Sequence, residues 1–339
     1  MRKSVVTLGL LCATVAVCAQ NKLYYFPTTD SAHVGVKNDL GKIIIPAKFS
    51  GAINYDFEQP ITGPTVEFYD VSTPVKTPKL SPAVPCGEVF NRKGKFLYYP
   101  LMYDNGPDYW EEGLRRYVEN GKVGFADKSG HKIIPAKWDF ATPFNYGYAT
   151  VYEGGWQKKY EAGGEHWYIS AASGKAVSYL INKKGERVNP GAQQHAKDYK
   201  NDNQYYPYPF QYNATEQKIV DSLQQLDVIN DINLVNHYED GPRKDHLLQF
   251  EITDRPTPDF PYYTVQGYTQ QSKEDRMQFI ISHDGKDYQY RPWSAEEPVP
   301  LRQWIIAELN ECKAFMQEHA DAPFRFDADA RLKQWTTQH

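Results

Sequence analysis

The sequence lacks the features that would identify an enzyme or a metalloprotein. It has four cysteines in 339 residues, and only Cys86 and Cys312 lie beyond the first twenty positions, which excludes a disulfide framework. It contains no Gly-x-Ser-x-Gly elbow and no phosphate-binding glycine loop. Its nine histidines form no His-x-His or His-x-x-x-His pair. We therefore expect no catalytic residues, no metal site and no cofactor.

An excess of basic residues and a long internal apolar run are missing as well. The formal net charge is −4, whereas nucleic-acid binding requires a basic surface. Beyond the N-terminus no stretch is apolar for long enough to form a membrane helix. We expect no nucleic-acid partner and no transmembrane helix.

The N-terminus has the pattern of a secretory signal peptide over residues 1–19. Arg2 and Lys3 form the charged part, and a short apolar run ends in small residues before Gln20. This predicts export to the periplasm or the cell surface. Cys18 would be the site of a lipid anchor, but Val17 stands where a lipobox has a small residue, so we expect no lipidation. Asp30-Ser31-Ala32 resembles the short O-glycosylation motif of exported Bacteroidetes proteins.

An internal repeat is the strongest pattern in the chain. The sequence VGVKNDLGKIIIPAKF at residues 34–49 recurs as VGFADKSGHKIIPAKW at residues 123–138. Aligning Gly35 with Gly124 and Gly41 with Gly130 requires no gap. Each copy predicts a β-hairpin, since a short apolar strand runs into a polar turn whose glycine supplies the positive φ. Proline should end the second strand because it donates no ladder hydrogen bond. One hairpin has no core, so several should stack.

These residues resemble the WG-repeat proteins, whose consensus combines an aromatic-Gly step, a D-x-x-G-K-x-V-I-P hairpin and a tail ending in F-x-x-G-x-A-x-V. Divergent copies occur at residues 91–100 and 181–190. The resemblance implies stacked WG-type hairpins in a mainly β repeat domain over residues 20–192. The residues that define the repeat are Gly35, Gly41, Pro46, Gly124, Gly130, Pro135, Trp138, Phe144 and Gly147.

Residues 193–213 form a predicted linker that is rich in tyrosine and proline. Its rings either pack on a neighbouring domain, which we favour, or form a platform on which a sugar or a proline-rich peptide stacks. The candidate binding aromatics are Tyr205, Tyr206, Tyr208, Phe210 and Tyr212.

The pattern changes to helical spacing from Ala214, which predicts one long or broken helix over residues 215–238. Strands are expected at 247–253, 262–269, 277–283 and 288–291, and apolar stripes predict C-terminal helices, one of which buries Cys312. Residues 214–339 should thus form an α+β domain with a helix on an antiparallel sheet. The order of elements resembles cystatin-like and PepSY-like domains, which carry no catalytic residues.

Two functions fit these observations. The first is an exported, non-enzymatic module of the bacterial cell envelope that binds a protein or another ligand, by strand addition or in a pocket. The second is a cell-envelope glycan-binding protein or hydrolase that uses scattered carboxylates, which need not be close in sequence. The expected partner is an unknown protein or a cell-envelope glycan. A deep cleft lined by two carboxylates and aromatic rings would favour the second function.

Overall fold

The computed structural model describes residues 22–51, 55–69, 76–103, 106–164, 166–237, 242–292 and 297–337. The predicted signal peptide of residues 1–19, including Cys18, lies outside these ranges. The chain divides into two compact units, residues 1–62 and residues 63–339. The boundaries predicted at residues 192 and 214 both fall within the second unit and stay predictions.

The first unit contains one copy of the repeated hairpin. Its described strands form an antiparallel sheet in the order β1-β2-β3, namely β1 (Leu23–Pro27), β2 (His33–Asn38) and β3 (Ile43–Ser50). Gly41 has a φ of +80°, as the predicted turn requires. A Cβ on Gly35 would lie 2.6 Å from both the Ile45 carbonyl oxygen and the Ala47 nitrogen, so only glycine fits there.

Within residues 63–206 of the second unit, the described segments contain strands and no helix, and all strand pairs are antiparallel. A sheet of the order β11-β10-β9-β6-β5-β4 lies beside a sheet of the order β12-β13-β16 and the hairpins β7-β8, β14-β15 and β17-β18. The strands are β4 (Thr65–Phe68), β5 (Glu88–Asn91), β6 (Phe96–Pro100), β7 (Met102–Tyr103), β8 (Gly106–Pro107), β9 (Leu114–Glu119), β10 (Lys122–Asp127), β11 (Lys132–Trp138), β12 (Phe140–Ala141), β13 (Tyr148–Glu153), β14 (Trp156–Tyr160), β15 (Trp167–Ala171), β16 (Val177–Asn182), β17 (Tyr199–Asn201) and β18 (Gln204–Tyr206).

The second hairpin copy repeats the backbone irregularity of the first. A Cβ on Gly124 would lie 2.6 Å from the Ile134 carbonyl oxygen and from the Ala136 nitrogen, and the register shifts in both hairpins at this glycine. The expectation that proline ends the strand is wrong, because β3 continues through Pro46 and β11 through Pro135. Both prolines lie in the bulge, where the missing N–H breaks no ladder.

The apolar core of this region forms around the aromatic tail of the repeat. Trp138 and Phe144 are almost fully buried, and both rings pack edge-on against Phe125. The aromatic tail thus covers the apolar face of the hairpin. Val123, Ile134, Val151 and Ile181 belong to the same cluster.

Residues 214–337 form an α+β structure, as expected. A five-stranded antiparallel meander in the order β19-β20-β21-β22-β23 buries one face under helices. The predicted helix is broken into two, and the predicted strands agree within two residues at each end. The elements are α1 (Ala214–Gln224), α2 (Asp227–Asn236), β19 (Leu248–Asp254), β20 (Tyr262–Thr269), β21 (Asp275–Ser282), β22 (Tyr288–Arg291), β23 (Val299–Pro300), α3 (Leu301–Glu318) and α4 (Ala328–Thr337).

Both described cysteines are buried, and neither forms a disulfide within the described residues. Burial raises the pKa of Cys312 on α3 to about 12, so this thiol is unreactive at neutral pH. Within the described ranges, none of the helices combines the length and the apolar character needed to cross a membrane.

Candidate functional site

Two turns of the repeat region have an unusual backbone conformation. Glu112-Gly113 leads into β9 and Tyr146-Gly147 leads into β13, and the φ angles of the four residues are 50°, 81°, 49° and 75°. A two-residue hairpin turn that is left-handed at both positions usually begins with Asn, Asp or Gly. A glutamate and a tyrosine there cost about 1–3 kcal/mol each in backbone strain. The contacts of their side chains must therefore offset this strain.

Glu112 joins the two turns through a buried carboxylate. It is 6% exposed, and its oxygens accept the backbone N–H of Gly147 at 3.0 and 3.1 Å. The same carboxylate accepts the hydroxyl of Tyr268 on β20 and lies 3.2 Å from the Lys183 ammonium group. Burial, together with the negative charge of Glu112, raises the pKa of Tyr268 well above its usual value.

The D-x-x-G type turns at residues 127–130 and 182–185 lie at the same end of the strands as the turns at residues 112–113 and 146–147. Each has a lysine in its second position. The Lys183 Nζ donates to the Thr253 carbonyl at 2.6 Å and to the Glu112 carbonyl at 2.8 Å, and the Lys128 Nζ lies 3.2 Å from the Asp254 carboxylate. We call residues 112–113, 127–130, 146–147 and 182–185 the turn surface. All four turns contact the strand β19, and the turns at 112–113 and 146–147 also contact β20.

The sheet face that meets the turn surface is polar and buried. Apolar residues of β19 and β20 pack under the helices, so the alternate positions point the other way. The side chains on this second face are Gln249, Glu251, Thr253, Thr264, Gln266 and Tyr268, and all are less than a tenth exposed.

The predicted linker crosses this polar face. We call residues 204–212 the strap. Tyr208 donates its hydroxyl to the Glu251 carboxylate at 2.5 Å, and Tyr212 donates to the same carboxylate. Phe210 packs edge-on against Tyr146, with 5.2 Å between the ring centroids. The strap thus packs on both neighbouring segments, which is the alternative that the sequence favoured.

Tyr205 and Tyr206 make the remaining aromatic contacts of the strap. Tyr206 is buried against Tyr148, with its hydroxyl on the Gln204 side-chain oxygen, while Tyr205 is half-buried in β18. Phe210 and Tyr212 are half-buried, so part of each ring remains accessible.

Glu251 is a buried carboxylate at the centre of the polar face. It is fully buried, and it also accepts a hydrogen bond from the Gln249 amide. Burial raises the pKa of Glu251 above its usual value, although the donors Tyr208, Tyr212 and Gln249 oppose that effect. The Lys273 ammonium group donates to the Gln249 side-chain oxygen at 2.9 Å and supplies a nearby positive charge.

An open pocket lies beside the strap, at one end of this interface. We call it the junction pocket. It has a volume of about 480 Å³, which is in the range of small-molecule sites. Its walls come from the turn at 182–185, the strap and the end of β19. The side chains that line it include Lys183, Lys184, Phe210, Tyr212, Ile252 and Arg255.

A second pocket of about 300 Å³, which we call the acidic pocket, lies where Glu111, Glu112 and Asp275 come together. Burial, with the negative charge of Asp275 next in importance, raises the pKa of Glu111 to about 7. Burial also raises the pKa of Asp275, whose carboxylate accepts the Gln266 amide at 3.2 Å. In the described part of the chain no three His, Cys, Asp or Glu side chains are grouped as metal ligands would be.

The predicted repeat residues are distributed unevenly around these pockets. Gly147 lines the junction pocket and Phe144 lines the acidic pocket, while Gly130 and Trp138 support the hairpin. Sequence reasoning missed Glu112, although a signal existed. Aligning the glycine of Glu112-Gly113 with that of Tyr146-Gly147, 34 positions later (147 − 113), pairs the two turns. The other residues of the interface that were missed are Glu111, Lys183, Glu251, Arg255, Tyr268 and Asp275.

Comparison with known proteins supports the repeat and nothing else in the chain. The sequence model of the WG containing repeat family matches residues 124–155, which span the Gly124 hairpin, its aromatic tail and β13. No curated protein and no solved structure matches the chain. The resemblance of the C-terminal part to cystatin-like or PepSY-like domains therefore receives no support.

Proposed function

We propose that this chain is an exported, non-enzymatic binding protein of the bacterial cell envelope, and that residues 63–339 hold a ligand in the junction pocket. The observation that carries the proposal is the pairing of accessible cationic groups with half-buried aromatic rings in one pocket of suitable size. Such pockets bind by burying a ligand against apolar side chains while a few polar groups fix its orientation.

The walls of the junction pocket are held in place before any ligand binds. The ammonium group of Lys183 is fixed by three oxygen atoms, and the Arg255 guanidinium is fixed by Glu216 and by the Gln211 carbonyl. A Cβ on Gly147 would lie 2.8 Å from Pro209, so the strap rests directly on this glycine. A pre-organised site loses little conformational entropy on binding.

We further propose that the hairpins at residues 34–49, 91–100, 124–138 and 181–190 are copies of one WG-type repeat, and that the three copies within residues 63–339 are stacked. The matching bulges at Gly35 and Gly124 support this. The sheet order β11-β10-β9-β6-β5-β4 also supports it, since it places the hairpin of residues 91–100 next to β9 in one sheet. In this arrangement the turns at residues 127–130 and 182–185 lie at one end of the stack and form part of the binding surface.

Capture from envelope extract tests the proposed function. The chain from residue 20 is immobilised and exposed to separate protein and glycan fractions, beside a Lys184→Glu, Phe210→Ala double variant and a Lys175→Glu control, whose exposed side chain lies outside the pocket. We expect a component that the wild type and the control retain and the double variant loses. The proposal fails if nothing is retained, or if all three chains retain the same components.

A second function, acid–base hydrolysis of a glycan, is favoured by the acidic pocket. A carboxyl group with a pKa of about 7, as on Glu111, is suited to proton transfer at neutral pH, and Asp275 supplies a second carboxylate. Incubation of the chain with envelope glycans, beside Glu111→Gln, tests it. Release of reducing ends that Glu111→Gln abolishes would support the hydrolase, and the absence of release would reject it.

A further inference from the structure

We infer that the junction pocket binds a sugar that carries one carboxylate per ring. This inference rests on the proposed function and names its ligand class. It is drawn from the charge balance of the pocket, the free donors of two side chains and the aromatic pair beside them.

The charge balance of the pocket favours an anion with a single charge. Three cationic side chains line it, but Lys183 pairs with Glu112 and Arg255 pairs with Glu216. Only the positive charge of Lys184 remains unmatched, because the ammonium group of this exposed residue makes no ion pair within the described residues. A carboxylate would neutralise this charge, whereas a doubly charged phosphate would leave an excess of negative charge.

The Arg255 guanidinium offers the N–H groups of Nη1 as further donors, and its other hydrogen bonds hold it in place. Its Nε donates to the Glu216 carboxylate at 2.7 Å, and its Nη2 donates to the Gln211 carbonyl at 2.9 Å. The Nη1 group makes no hydrogen bond in the described part of the chain, and the side chain is 58% exposed. A carboxylate can therefore take hydrogen bonds from Arg255 and Lys184 together. Such charge-assisted bonds are the strong ones in recognition.

Aromatic rings beside these cations point to a cyclic ligand. The rings of Phe210 and Tyr212 are nearly parallel, with an interplanar angle of 20°, and both line the pocket. Phe210 is held by Tyr146 and by Pro209, which rests on Gly147. An aromatic surface stacks well on the apolar C–H face of a sugar ring. A simple organic anion would not use these rings, but a carboxylated sugar would use both the rings and the cations.

Isothermal titration calorimetry with defined probes tests this inference. The probes are trigalacturonate, its fully methyl-esterified form, and tricarballylate, which has carboxylates without rings. We expect trigalacturonate to bind and the other two to bind at least about tenfold more weakly, as one lost charge-assisted hydrogen bond would require. Lys184→Glu and Phe210→Ala should each weaken the binding of trigalacturonate by about tenfold or more, while Lys175→Glu should leave its affinity unchanged.

The outcomes separate this inference from the proposed function. Equal binding of the methyl ester would overturn the role of the carboxylate, and equal binding of tricarballylate would overturn the role of the ring. If no probe binds while the capture experiment still yields a component that depends on Lys184 and Phe210, the inference is wrong and the proposed function stands. If capture fails as well, both are wrong.

Discussion

The carboxylate of Glu112 accepts the backbone N–H of Gly147 at 3.0 and 3.1 Å, so one strained turn of the repeat region is hydrogen-bonded to the next. Tyr268 and Lys183 contact the same carboxylate from the C-terminal sheet and from a third turn. This group therefore connects its own turn to three other parts of the chain that are distant in sequence.

Replacement of Glu112 by alanine should destabilise the protein by about 3 kcal/mol, because the buried Gly147 N–H loses its acceptor and the Tyr268 hydroxyl keeps only its 3.2 Å hydrogen bond to Gln266. Urea unfolding of the full chain measures the change. Glu119→Ala is the matched control. Its carboxylate is 47% exposed and pairs with Lys132 at the surface, so the loss should stay below about 1 kcal/mol. Equal losses in the two variants would contradict the structural role of Glu112.

Gly147→Ala and Gly121→Ala separate backbone strain from steric conflict. Both glycines have a left-handed φ, at 75° and 70°. A Cβ on Gly121 would meet nothing within 4 Å, whereas a Cβ on Gly147 would lie 2.8 Å from Pro209. Gly121→Ala should cost about 1 kcal/mol and Gly147→Ala at least about 2 kcal/mol. Thermal unfolding would show the difference, and equal shifts in melting temperature would mean that the strap does not rest on Gly147.

Tyr208→Phe should destabilise the protein more at high pH than at low pH. The folded-state pKa of Glu251 is raised, so stability from this group is present below the ordinary glutamate pKa and is lost as pH rises through the folded pKa. Removal of the Tyr208 hydroxyl takes a donor from the ionised form and raises that pKa further. Urea unfolding at several pH values checks this. In a Glu251→Gln background the pH dependence of the Tyr208→Phe effect should disappear; its persistence would assign the effect to another group.

The effect of Glu111→Gln on the free energy of unfolding should depend on pH, and the substitution should be more stabilising at about pH 8 than at about pH 5. The folded pKa of Glu111 is about 7, above its ordinary value of 4.5. The stability from its protonated form is therefore present below the ordinary value and is lost as pH rises towards and through 7. A neutral amide avoids that loss. Denaturant unfolding across this range is the measurement, with the exposed Glu119→Gln as control, for which no such trend is expected.

Asp275→Asn should lower the pKa of Glu111, because the charge of Asp275 is the second cause of its elevation after burial. In the same unfolding series the pH window of the Glu111→Gln effect should then move to lower pH. An unchanged window would mean that burial alone sets this pKa and would weaken the case for a coupled carboxylate pair in the acidic pocket.

Local patterns predicted much of the fold. The helical spacing after Ala214 predicted α1 and α2, the strand pattern predicted β21 and β22, and the duplicated glycines predicted two hairpins. Each of these features depends on residues within a few positions of one another. The continuation of β11 through Pro135 was missed because a bulge depends on the partner strand as well as on the proline.

The candidate site could be predicted only in part. The strap aromatics and Gly147 were visible as unusual residues, but their partners were not. Apolar and polar residues alternate along β19, and the polar face of a strand usually lies in water. Here Gln249 and Glu251 are buried because the strap covers them. No pattern in the sequence states which segment will cover a face.

The sequence by itself determined the repeat, the antiparallel hairpins and the helices, because these follow from short-range periodicity, turn residues and steric limits at glycine. Only the tertiary structure decided that the turns of residues 112–113 and 146–147 meet, that Lys183 reaches Thr253, and that Lys184, Phe210 and Arg255 share one pocket. These contacts join residues up to about 70 positions apart along the chain. They depend on how whole elements pack, and packing is set by the burial of many side chains at once.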